Sequence, residues 1–457
     1  MDNQNSKKGI DRRSFLQTSA AAGAGFAFSP FFSSLTSAAS SSDDINVGLL
    51  GCGAQGQILM KACLNIPGIR FKAVCDIWES YNRRIANRTL LSLGHENNTY
   101  VDYEEMLASE TDLDAVIVAT PDFWHSKHTI ACLEAGLNVY CEKEMSNTIE
   151  GAKAMVEAQK SSGKLLQIGH QRRSNPRYIH CYDKLVKEAN ICGQMTTVNG
   201  QWNRSKAACE DLGWPTNAVI DDATLEKYGF ESMLQFRNWR WFRGLGGGPI
   251  VDLGSHQIDI YSWFLEANPK SVIASGGIDY WKNHDWYDNV MCIYEYDTPQ
   301  GTARAFYQTI TTNSGQGYFE QFMGLEGTLV ISEAAARCKL YREVWVEEAN
   351  WAKWIDLGYM MPIEEEAEET PTEESGVVLD VRESPTPPSY DLPADVTLGD
   401  KPYHQPHLEN FFDSIKGTAT LNCPGEIGYE TAVTVLKVNE AVEAGQRLEF
   451  KPEDFEV

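Results

Sequence analysis

The sequence predicts an α/β protein: an N-terminal doubly wound parallel sheet followed by an α+β domain with a mainly antiparallel, open-faced sheet. In the first part, short apolar runs alternate with helical segments, and the first run ends in a glycine-rich turn. After Gly169 this alternation stops and β-rich runs follow one another. The 457 residues are enough for two packed domains, which we place at 40–169 and 170–457.

Composition and charge exclude several classes of protein. With 42% hydrophobic and 23% charged residues, the chain has the composition of a soluble globular protein. The formal net charge of −25 argues against a surface for nucleic acid or anionic lipid, which needs clustered Lys and Arg. We expect no nucleic-acid partner and no stable membrane insertion.

The eleven cysteines are scattered without the spacing of a metal site or of paired half-cystines. We therefore predict buried free thiols and no metal site. Part of the acidic excess is local, because the stretch at 361–400 has twelve Asp or Glu, six Pro and a single basic residue, Arg382. Such a composition predicts an extended or mobile excursion from the second domain.

Residues 1–39 have the features of an export signal. A weakly apolar run from Ala20 to Phe32 is too short to span a bilayer, and small residues around Ala38 offer a cleavage site. Basic residues precede this run: Lys7, Lys8, Arg12 and Arg13. Because Ser14, Phe15 and Leu16 follow the two arginines, the segment resembles a twin-arginine signal, which implies a periplasmic or otherwise exported protein. The alternative is a disordered basic leader.

Residues 40–169 are predicted to form a Rossmann domain that binds NAD(P). The apolar run from Ile45 to Leu50 leads directly into a G-x-G-x-x-G motif that opens a helical segment. In this motif the glycines allow a tight turn, close approach to a pyrophosphate and close helix packing, and the helix N-terminus binds the anion. The predicted cofactor contacts are Gly51, Gly53, Ala54, Gln55 and Gly56.

Asp76 favours NAD over NADP. It follows the predicted strand Phe71 to Cys75 and lies twenty residues after Gly56, where the motif expects a carboxylate for the ribose 2′-hydroxyl. A 2′-phosphate at this place would meet a negative charge. The alternative is that Asp76 caps the following helix.

Further apolar runs complete a predicted six-stranded sheet. They are Ala115 to Ala119, Asn138 to Cys141 and Leu165 to Ile168, with helices near 127–134 and 148–161. Ligands of such sheets bind outside the carboxyl ends of the strands, so the residues after each run are candidates for cofactor binding. These are Thr120, Pro121, Asp122, His125, Glu142 and Lys143. His125 has an alternative role as a loop or helix-capping imidazole.

A glycine run also introduces a polar helical face. Pro249 suits the first turn of a helix, and Asp252, His256 and Asp259 then fall four and three residues apart. We predict that this face points into a cleft; the alternative is a solvated face.

Four motifs together resemble the Gfo/Idh/MocA family of sugar and cyclitol oxidoreductases. They are Gly51 to Gly56, Thr120-Pro121, Glu142-Lys143 and Gly246 to Asp259, and the resemblance covers nearly all of the mature chain. It implies oxidation of a secondary alcohol of a sugar, glycoside or cyclitol, and commonly a homo-oligomer, a dimer or tetramer. It also implies catalytic roles for Lys143, Asp252 and His256, and substrate contacts from these residues, Arg172 and Trp239.

The chain departs from this family at Glu144, where Glu-Lys is usually followed by Pro. Without the proline a fixed φ is lost, and an extra carboxylate near the site would tend to hold Lys143 protonated.

The second domain is predicted from five β-rich runs: Met195 to Trp202, Ser271 to Ala274, Val290 to Tyr296, Thr302 to Thr309 and Gly327 to Ile331. An aromatic and basic segment, Phe236 to Arg243, either stacks on a sugar or packs its own rings. An ordered pattern resumes at His404 to Lys416, and a helix is expected from about Gly428 to Ala444.

Three functions remain open on the sequence. Oxidation of an alcohol needs a group of tunable pKa at the hydroxyl, for which Lys143 and His256 are the candidates. An exported dehydrogenase cannot replace its cofactor, so NAD should stay bound and be recycled within the site. The alternatives are an NAD-dependent glycoside hydrolase or lyase that acts through a transient keto-sugar, and a non-catalytic protein that binds a sugar or a nucleotide.

Overall fold

The computed structural model describes residues 44–363 and 387–457, which belong to one compact unit. The predicted export signal at 1–39 lies outside the described residues, and so does most of the acidic stretch at 361–400. The two described ends of that stretch pair with each other as short strands.

The first sheet has six parallel strands in the order β3-β2-β1-β4-β5-β6. The strands are β1 Ile45–Leu50, β2 Ile69–Cys75, β3 Asn98–Tyr100, β4 Ala115–Val118, β5 Asn138–Cys141 and β6 Leu166–Ile168. This confirms the predicted doubly wound sheet. Its strand order changes direction between β1 and β4, and the carboxyl ends of these strands therefore open a crevice where ligands bind.

The position of β3 was not predicted because its three residues form a largely exposed edge strand without an apolar run. Five helices connect the strands of this sheet: α1 Ala54–Cys63, α2 Arg84–Ser92, α3 Tyr103–Ser109, α4 Asp122–Glu134 and α5 Ile149–Ser162. Helix α4 begins five residues before the predicted position, since Pro121 already serves as its N-cap.

The second sheet has ten strands in the order β14-β15-β13-β12-β11-β7-β10-β9-β8-β16, and all neighbours are antiparallel except β7 and β10. Its strands are β7 Met195–Asn203, β8 Pro269–Gly277, β9 Asn289–Thr298, β10 Gly301–Ile310, β11 Tyr318–Gly324, β12 Gly327–Ile331, β13 Lys339–Arg342, β14 Met361–Pro362, β15 Ser389–Asp391 and β16 Leu448–Glu449. The five predicted runs are confirmed. Most of the unpredicted strands have two to four residues and depend on their pairing partners.

The remaining helices are α6 Pro176–His180, α7 Asp222–Lys227, α8 Met233–Asn238, α9 Gly248–Leu265, α10 Glu348–Asp356, α11 Gln405–Ile415 and α12 Gly425–Ala444. Helix α9 begins with the predicted proline in its first turn and packs across β7 and β10 of the second sheet. Its N-terminal half is thereby brought to the crevice of the first sheet.

The C-terminal helices return to the first sheet. Helix α11 packs against α1 and β5, and its side chains Leu408, Phe411 and Phe412 belong to one buried cluster with β1 and β4. Helix α12 packs against α5 and β6 as well as α9. The packing thus ties the end of the chain to the sheet formed by its beginning.

All eleven cysteines lie in the described part of the chain, and they are buried and free, as predicted. Among the described residues, no helix combines the length and the apolar composition needed to cross a membrane.

Candidate active site

A cleft of about 590 Å³ lies between the carboxyl ends of the first sheet and the second sheet. Most of the residues predicted for cofactor, substrate and catalysis line it: Gly51, Gly53, Ala54, Gln55, Asp76, Thr120, Pro121, His125, Glu142, Lys143, Trp239, Asp252 and His256. The two others, Gly56 and Arg172, lie outside its lining.

The glycine turn has the shape that a dinucleotide requires. Gly51 has φ +93°, and a Cβ there would lie 2.5 Å from the main-chain oxygen of Ala119. A Cβ at Gly56 would overlap the main-chain oxygen of Gly51, so this glycine packs the helix on the strand and does not line the cleft. At Gly53 a Cβ would meet only the Asn82 amide nitrogen, at 3.8 Å, and the backbone is open to the cleft. Together with the first amides of α1, this opening fits a pyrophosphate.

Asp76 fixes this turn and also faces the cleft. One carboxylate oxygen accepts a hydrogen bond from the Cys52 amide and the other from the Trp78 amide, each at 2.7 Å. Burial raises the pKa of Asp76 above its ordinary value. The carboxylate therefore holds the two turns that contain Cys52 and Trp78. It does not cap the following helical segment at Glu79–Arg83, because the N-cap of that segment is Trp78, which makes no capping side-chain hydrogen bond. Asp76 still lies where a ribose hydroxyl would be bound.

His125 joins two of the loops that follow the strands. Its ring nitrogens lie 2.7 Å from the main-chain oxygens of Thr120 and Glu144. Burial lowers the pKa of His125 to about 4, so the imidazole is neutral and donates to one of these oxygens. The loop-fixing role weighed for His125 is the one its contacts support, although the ring also lines the cleft.

Glu142 and Gln55 form a polar contact at the same edge of the sheet. The Gln55 side chain donates to Glu142 Oε1 at 3.1 Å and lies 3.0 Å from His404 Nε2. Glu142 Oε2 accepts from the Lys143 amide at 3.3 Å. These contacts orient the start of the segment that carries Lys143.

Lys143, Asp252 and Arg240 form a charged cluster in the cleft. The Lys143 ammonium lies 3.5 Å from Asp252 Oδ1 and donates to the main-chain oxygen of Asp252. Arg240 Nε donates to the same carboxylate oxygen at 2.8 Å. Burial would raise the pKa of Asp252, but Lys143 and Arg240 hold it below its ordinary value. Asp252 is thus a permanent anion that fixes two cations.

His256 lies one helical turn after Asp252 on α9 and is 7% exposed. Among the described residues, no hydrogen-bond partner reaches its buried Nδ1. Burial and the charges of Lys143 and Arg172 lower the pKa of His256 well below its ordinary value. The imidazole is therefore neutral at pH 7 and can accept a proton.

Two predictions were wrong, one about a substrate contact of Arg172 and one about the cleft-facing side of α9. Arg172 is completely buried beneath the cleft wall, where it pairs with Glu320 and, at 3.0 Å, with Glu333. Asp259 does not share the cleft-facing side with Asp252 and His256, because Arg173 Nε donates to it at 2.8 Å inside the protein.

Trp239 lines the cleft but is only 9% exposed, and the Arg240 guanidinium lies 4.3 Å above its ring. The Trp239 ring therefore mainly packs against neighbouring side chains. This agrees with the interpretation that the aromatic segment packs its own rings. The more accessible aromatic pair is Trp202 and Tyr318, whose ring centroids are 4.8 Å apart.

Asp122 was a candidate because it follows a strand with Thr120 and Pro121, and it lines the cleft. Burial raises the pKa of Asp122 to about 7 despite the nearby Arg240 and Lys143. Two aromatic lining residues, Trp202 and Tyr318, were not predicted. They carry no comparable signal in the sequence, because only the pairing of β7 with β11 brings them together.

A segment of the second part of the chain covers the crevice of the first sheet. We call residues 206–245 the cover segment. Trp78 donates its indole hydrogen to the Ala218 main-chain oxygen at 2.7 Å, and Trp124 donates to that of Tyr228 at 3.1 Å. An apolar cluster seals the contact: Trp78, Ala218, Ile220, Leu225, Tyr228, Phe230, Met233, Trp239 and Leu245. The cover segment therefore forms one wall of the cleft, beside the first and second sheets.

Glu144 occupies the position at which the proline was expected. Its side chain is 1% exposed, Oε1 accepts from the Met145 amide at 2.8 Å, and buried Oε2 has no hydrogen-bond partner among the described residues. Burial raises the pKa of Glu144 to about 8. The expected extra negative charge beside Lys143 is therefore mostly absent at neutral pH.

We expect Glu144→Gln to stabilise the protein at pH 8 and to have little effect at pH 5. The folded-state pKa is above the unfolded value, so the contribution of the carboxyl group is present at low pH and is lost between about 4.5 and 8. Glutamine keeps the acceptor for Met145 and cannot ionise. Denaturant unfolding at both pH values should show a gain of about 1–3 kcal/mol at pH 8 only. An equal effect at both would contradict the assignment.

Two family models match the chain. Residues 45–170 match "Oxidoreductase family, NAD-binding Rossmann fold", and residues 220–330 match "GFO/IDH/MocA C-terminal domain". Together they cover more than half of the chain, and the first shows that the parallel sheet belongs to an NAD-binding Rossmann domain.

Curated relatives include inositol dehydrogenases. The inositol 2-dehydrogenase/D-chiro-inositol 3-dehydrogenase of Shouchella clausii is 34% identical over 147 residues, which are 32% of this chain and 41% of the relative. The inositol 2-dehydrogenase of Rubrobacter xylanophilus is 26% identical over 237 residues, 51% of this chain and 56% of the relative. The chain thus spans about half the length of the curated relatives it matches.

Solved structures share the fold over most of the chain. A levoglucosan dehydrogenase in complex with NADH and levoglucosan has a TM-score of 0.64 at 18% identity, covering 89% of this chain and 99% of its own. The WlbA dehydrogenase of Bordetella pertussis, in complex with NADH and UDP-GlcNAcA, has a TM-score of 0.62 at 17% identity with the same coverage.

Proposed function

Because the chain belongs to the Gfo/Idh/MocA oxidoreductase family, we propose that it is an NAD-dependent oxidoreductase that oxidises a secondary alcohol of a sugar, glycoside or cyclitol. One observation carries this proposal: Lys143, Asp252 and His256 meet in the cleft that the glycine turn also lines. The named activities of the inositol and levoglucosan dehydrogenases support the substrate class. NADP remains the less favoured cofactor because of Asp76.

The residues present fit NAD. The turn at Gly51 and Gly53 with the first amides of α1 would hold the pyrophosphate, and Asp76 the adenosine ribose. Thr120, Pro121 and Glu142 would line the nicotinamide half. When bound, NAD⁺ supplies the acceptor for the hydride that leaves the carbinol carbon.

His256 would take the hydroxyl proton and Lys143 would stabilise the oxygen that loses it. The imidazole of His256 is neutral, and its Nδ1 has no hydrogen-bond partner among the described residues, so the ring can accept a proton. The Lys143 ammonium, beside Asp252, acts as a hydrogen-bond donor. Asp252 keeps Lys143 in place and is itself held by Arg240. The geometry favours this division of roles over a proton acceptor at Lys143.

We also propose that the cofactor stays bound and is recycled within the site of an exported protein. The twin-arginine resemblance at Arg12 and Arg13 supports export, and the cover segment supports retention because it forms one wall of the cleft. A retained cofactor must be regenerated by reduction of a second sugar or by reversal of the first oxidation.

Denaturation of the protein recovered from the periplasm after signal cleavage should release about one equivalent of NAD(H), measured by mass analysis and absorbance. Trp124→Ala removes the hydrogen bond to Tyr228 of the cover segment, and it should therefore speed exchange of the bound cofactor for added NAD. Recovery of an empty protein that exchanges NAD freely would contradict the retained cofactor, and recovery only from the cytoplasm would contradict export.

Product analysis with the NAD-loaded protein separates the oxidoreductase from the glycoside hydrolase or lyase. Net oxidation of one sugar with reduction of another supports the proposal. Release of an aglycone without net redox change would identify the alternative, because transient oxidation then activates the glycosidic bond and is reversed.

The homo-oligomer expected from the family remains part of this proposal. Strands β8 and β9 expose Ile273, Met291 and Ile293 by 39–47% on the open face of the second sheet. Apolar side chains of this kind on one sheet face fit contact with a second copy of the chain.

A further inference from the structure

The part of the cleft beside the second sheet contains a cation that the proposed mechanism does not use. Arg204 lies just after β7 and lines the cleft, and its side chain is partly exposed there. Among the described residues, no carboxylate forms an ion pair with it, and its guanidinium lies 5.2 Å above the Trp202 ring.

Two carboxylates that line the cleft, those of Asp252 and Glu333, are already paired with other cations. Arg204 is near enough to Asp252 to lower the pKa of that carboxyl, but the ion pairs of Asp252 are made with Lys143 and Arg240. Glu333, which also lines the cleft, is held by Arg172 at 3.0 Å. Three cations thus surround Asp252, and of these Arg204 is the one without an ion pair in the described parts of the chain, which leaves it to bind an anion from outside the protein.

An aromatic surface adjoins this cation. Trp202 and Tyr318 stack with ring centroids 4.8 Å apart, and the Trp202 ring also lies 5.6 Å from that of His256. The buried Arg172 guanidinium also lies over both rings, at 5.4 Å from the Trp202 centroid and 5.8 Å from that of Tyr318. Aromatic faces of this kind pack against the apolar face of a pyranose ring.

From this arrangement, and on the basis of the function proposed above, we propose that the substrate is an acidic sugar, a uronic acid or its glycoside. Its ring packs on Trp202 and Tyr318, its reacting hydroxyl lies at His256 and Lys143, and its carboxylate pairs with Arg204. The planar guanidinium forms two parallel hydrogen bonds with a carboxylate, which a neutral hydroxymethyl group cannot do.

The test compares each uronic acid with its neutral counterpart on the NADH-loaded protein. The pairs are glucuronate with glucose, galacturonate with galactose and mannuronate with mannose, and binding is measured by calorimetry. We expect at least one acid to bind about tenfold more tightly than its counterpart, and this preference to fall as salt is added. Equal affinity in all three pairs, or no binding of any acid at millimolar concentration, would overturn the proposal.

Substitutions test whether Arg204 causes the preference for the acid over its neutral counterpart. We expect Arg204→Gln to remove it and Arg204→Lys to retain part of it, because lysine keeps the charge and loses the paired donors. Lys206→Gln is the matched control, since it removes an exposed cation two residues away and should leave the preference intact. A preference that survives Arg204→Gln would overturn the proposal. NADH binding, measured on each preparation, separates this outcome from failure of the proposed function, in which NADH itself would not bind.

Discussion

Replacement of Lys143 by methionine is expected to lower turnover about 10³-fold or more. The ammonium would stabilise the substrate oxygen as its proton leaves, and it is held for this by Asp252 at 3.5 Å. Methionine has a similar length and fills the same space, and Asp252 keeps its partner Arg240. The loss should therefore appear in hydride transfer and not in folding.

The measurement is the rate at which bound NAD⁺ is reduced by the best substrate of a panel of inositols, aldoses and uronic acids. NADH affinity and thermal unfolding of the variant should remain close to wild type. Lys61→Met, at the exposed end of α1, is the matched control and should keep full activity. His256→Gln should cause a loss of similar order. Unchanged turnover in Lys143→Met would refute the role given to this residue.

An added methyl group is expected to lower stability at one glycine of the turn and cofactor affinity at another. At Gly56 the added Cβ would overlap the Gly51 main-chain oxygen, so Gly56→Ala should destabilise the fold by about 1–3 kcal/mol. At Gly53 the Cβ meets only the Asn82 amide nitrogen, at 3.8 Å, so Gly53→Ala should fold normally. Its methyl group occupies the approach of the pyrophosphate, and NADH affinity should fall at least about tenfold.

Denaturant unfolding without added cofactor and fluorescence titration with NADH measure the two effects separately. Each variant serves as the control for the other, because both add the same methyl group within four residues. Equal destabilisation of both variants, or unchanged NADH affinity in Gly53→Ala, would show that the turn does not hold the cofactor in the proposed way.

The first sheet was predictable because patterns within short segments of the chain mark its strands and its glycine turn. Strands β1 and β5 have the predicted bounds because a buried parallel strand is a continuous apolar run, and the glycine turn follows β1 directly. Lys143 and His256 were found for a related reason, since one follows a strand end and the other lies one turn after Asp252 on a helix introduced by glycines.

Pairing between distant segments decided the rest. The edge strand β3 and the short strands of the second sheet have no apolar pattern of their own, and their neighbours make them strands. Arg172 was predicted to contact the substrate and Asp259 to face the cleft, but Glu320 and Arg173, which are remote from them in the chain, hold them inside the protein.

The sequence by itself therefore determined the NAD-binding architecture and the positions of its main polar residues, because these depend on periodicity and spacing within one segment. Only the tertiary structure decided which of these side chains share a cleft, that the cover segment forms one of its walls, and that Arg204 lies beside Trp202 without an ion pair to any residue the structure describes. Charge pairing and burial depend on residues far apart in the chain, so they cannot be predicted from spacing along the sequence.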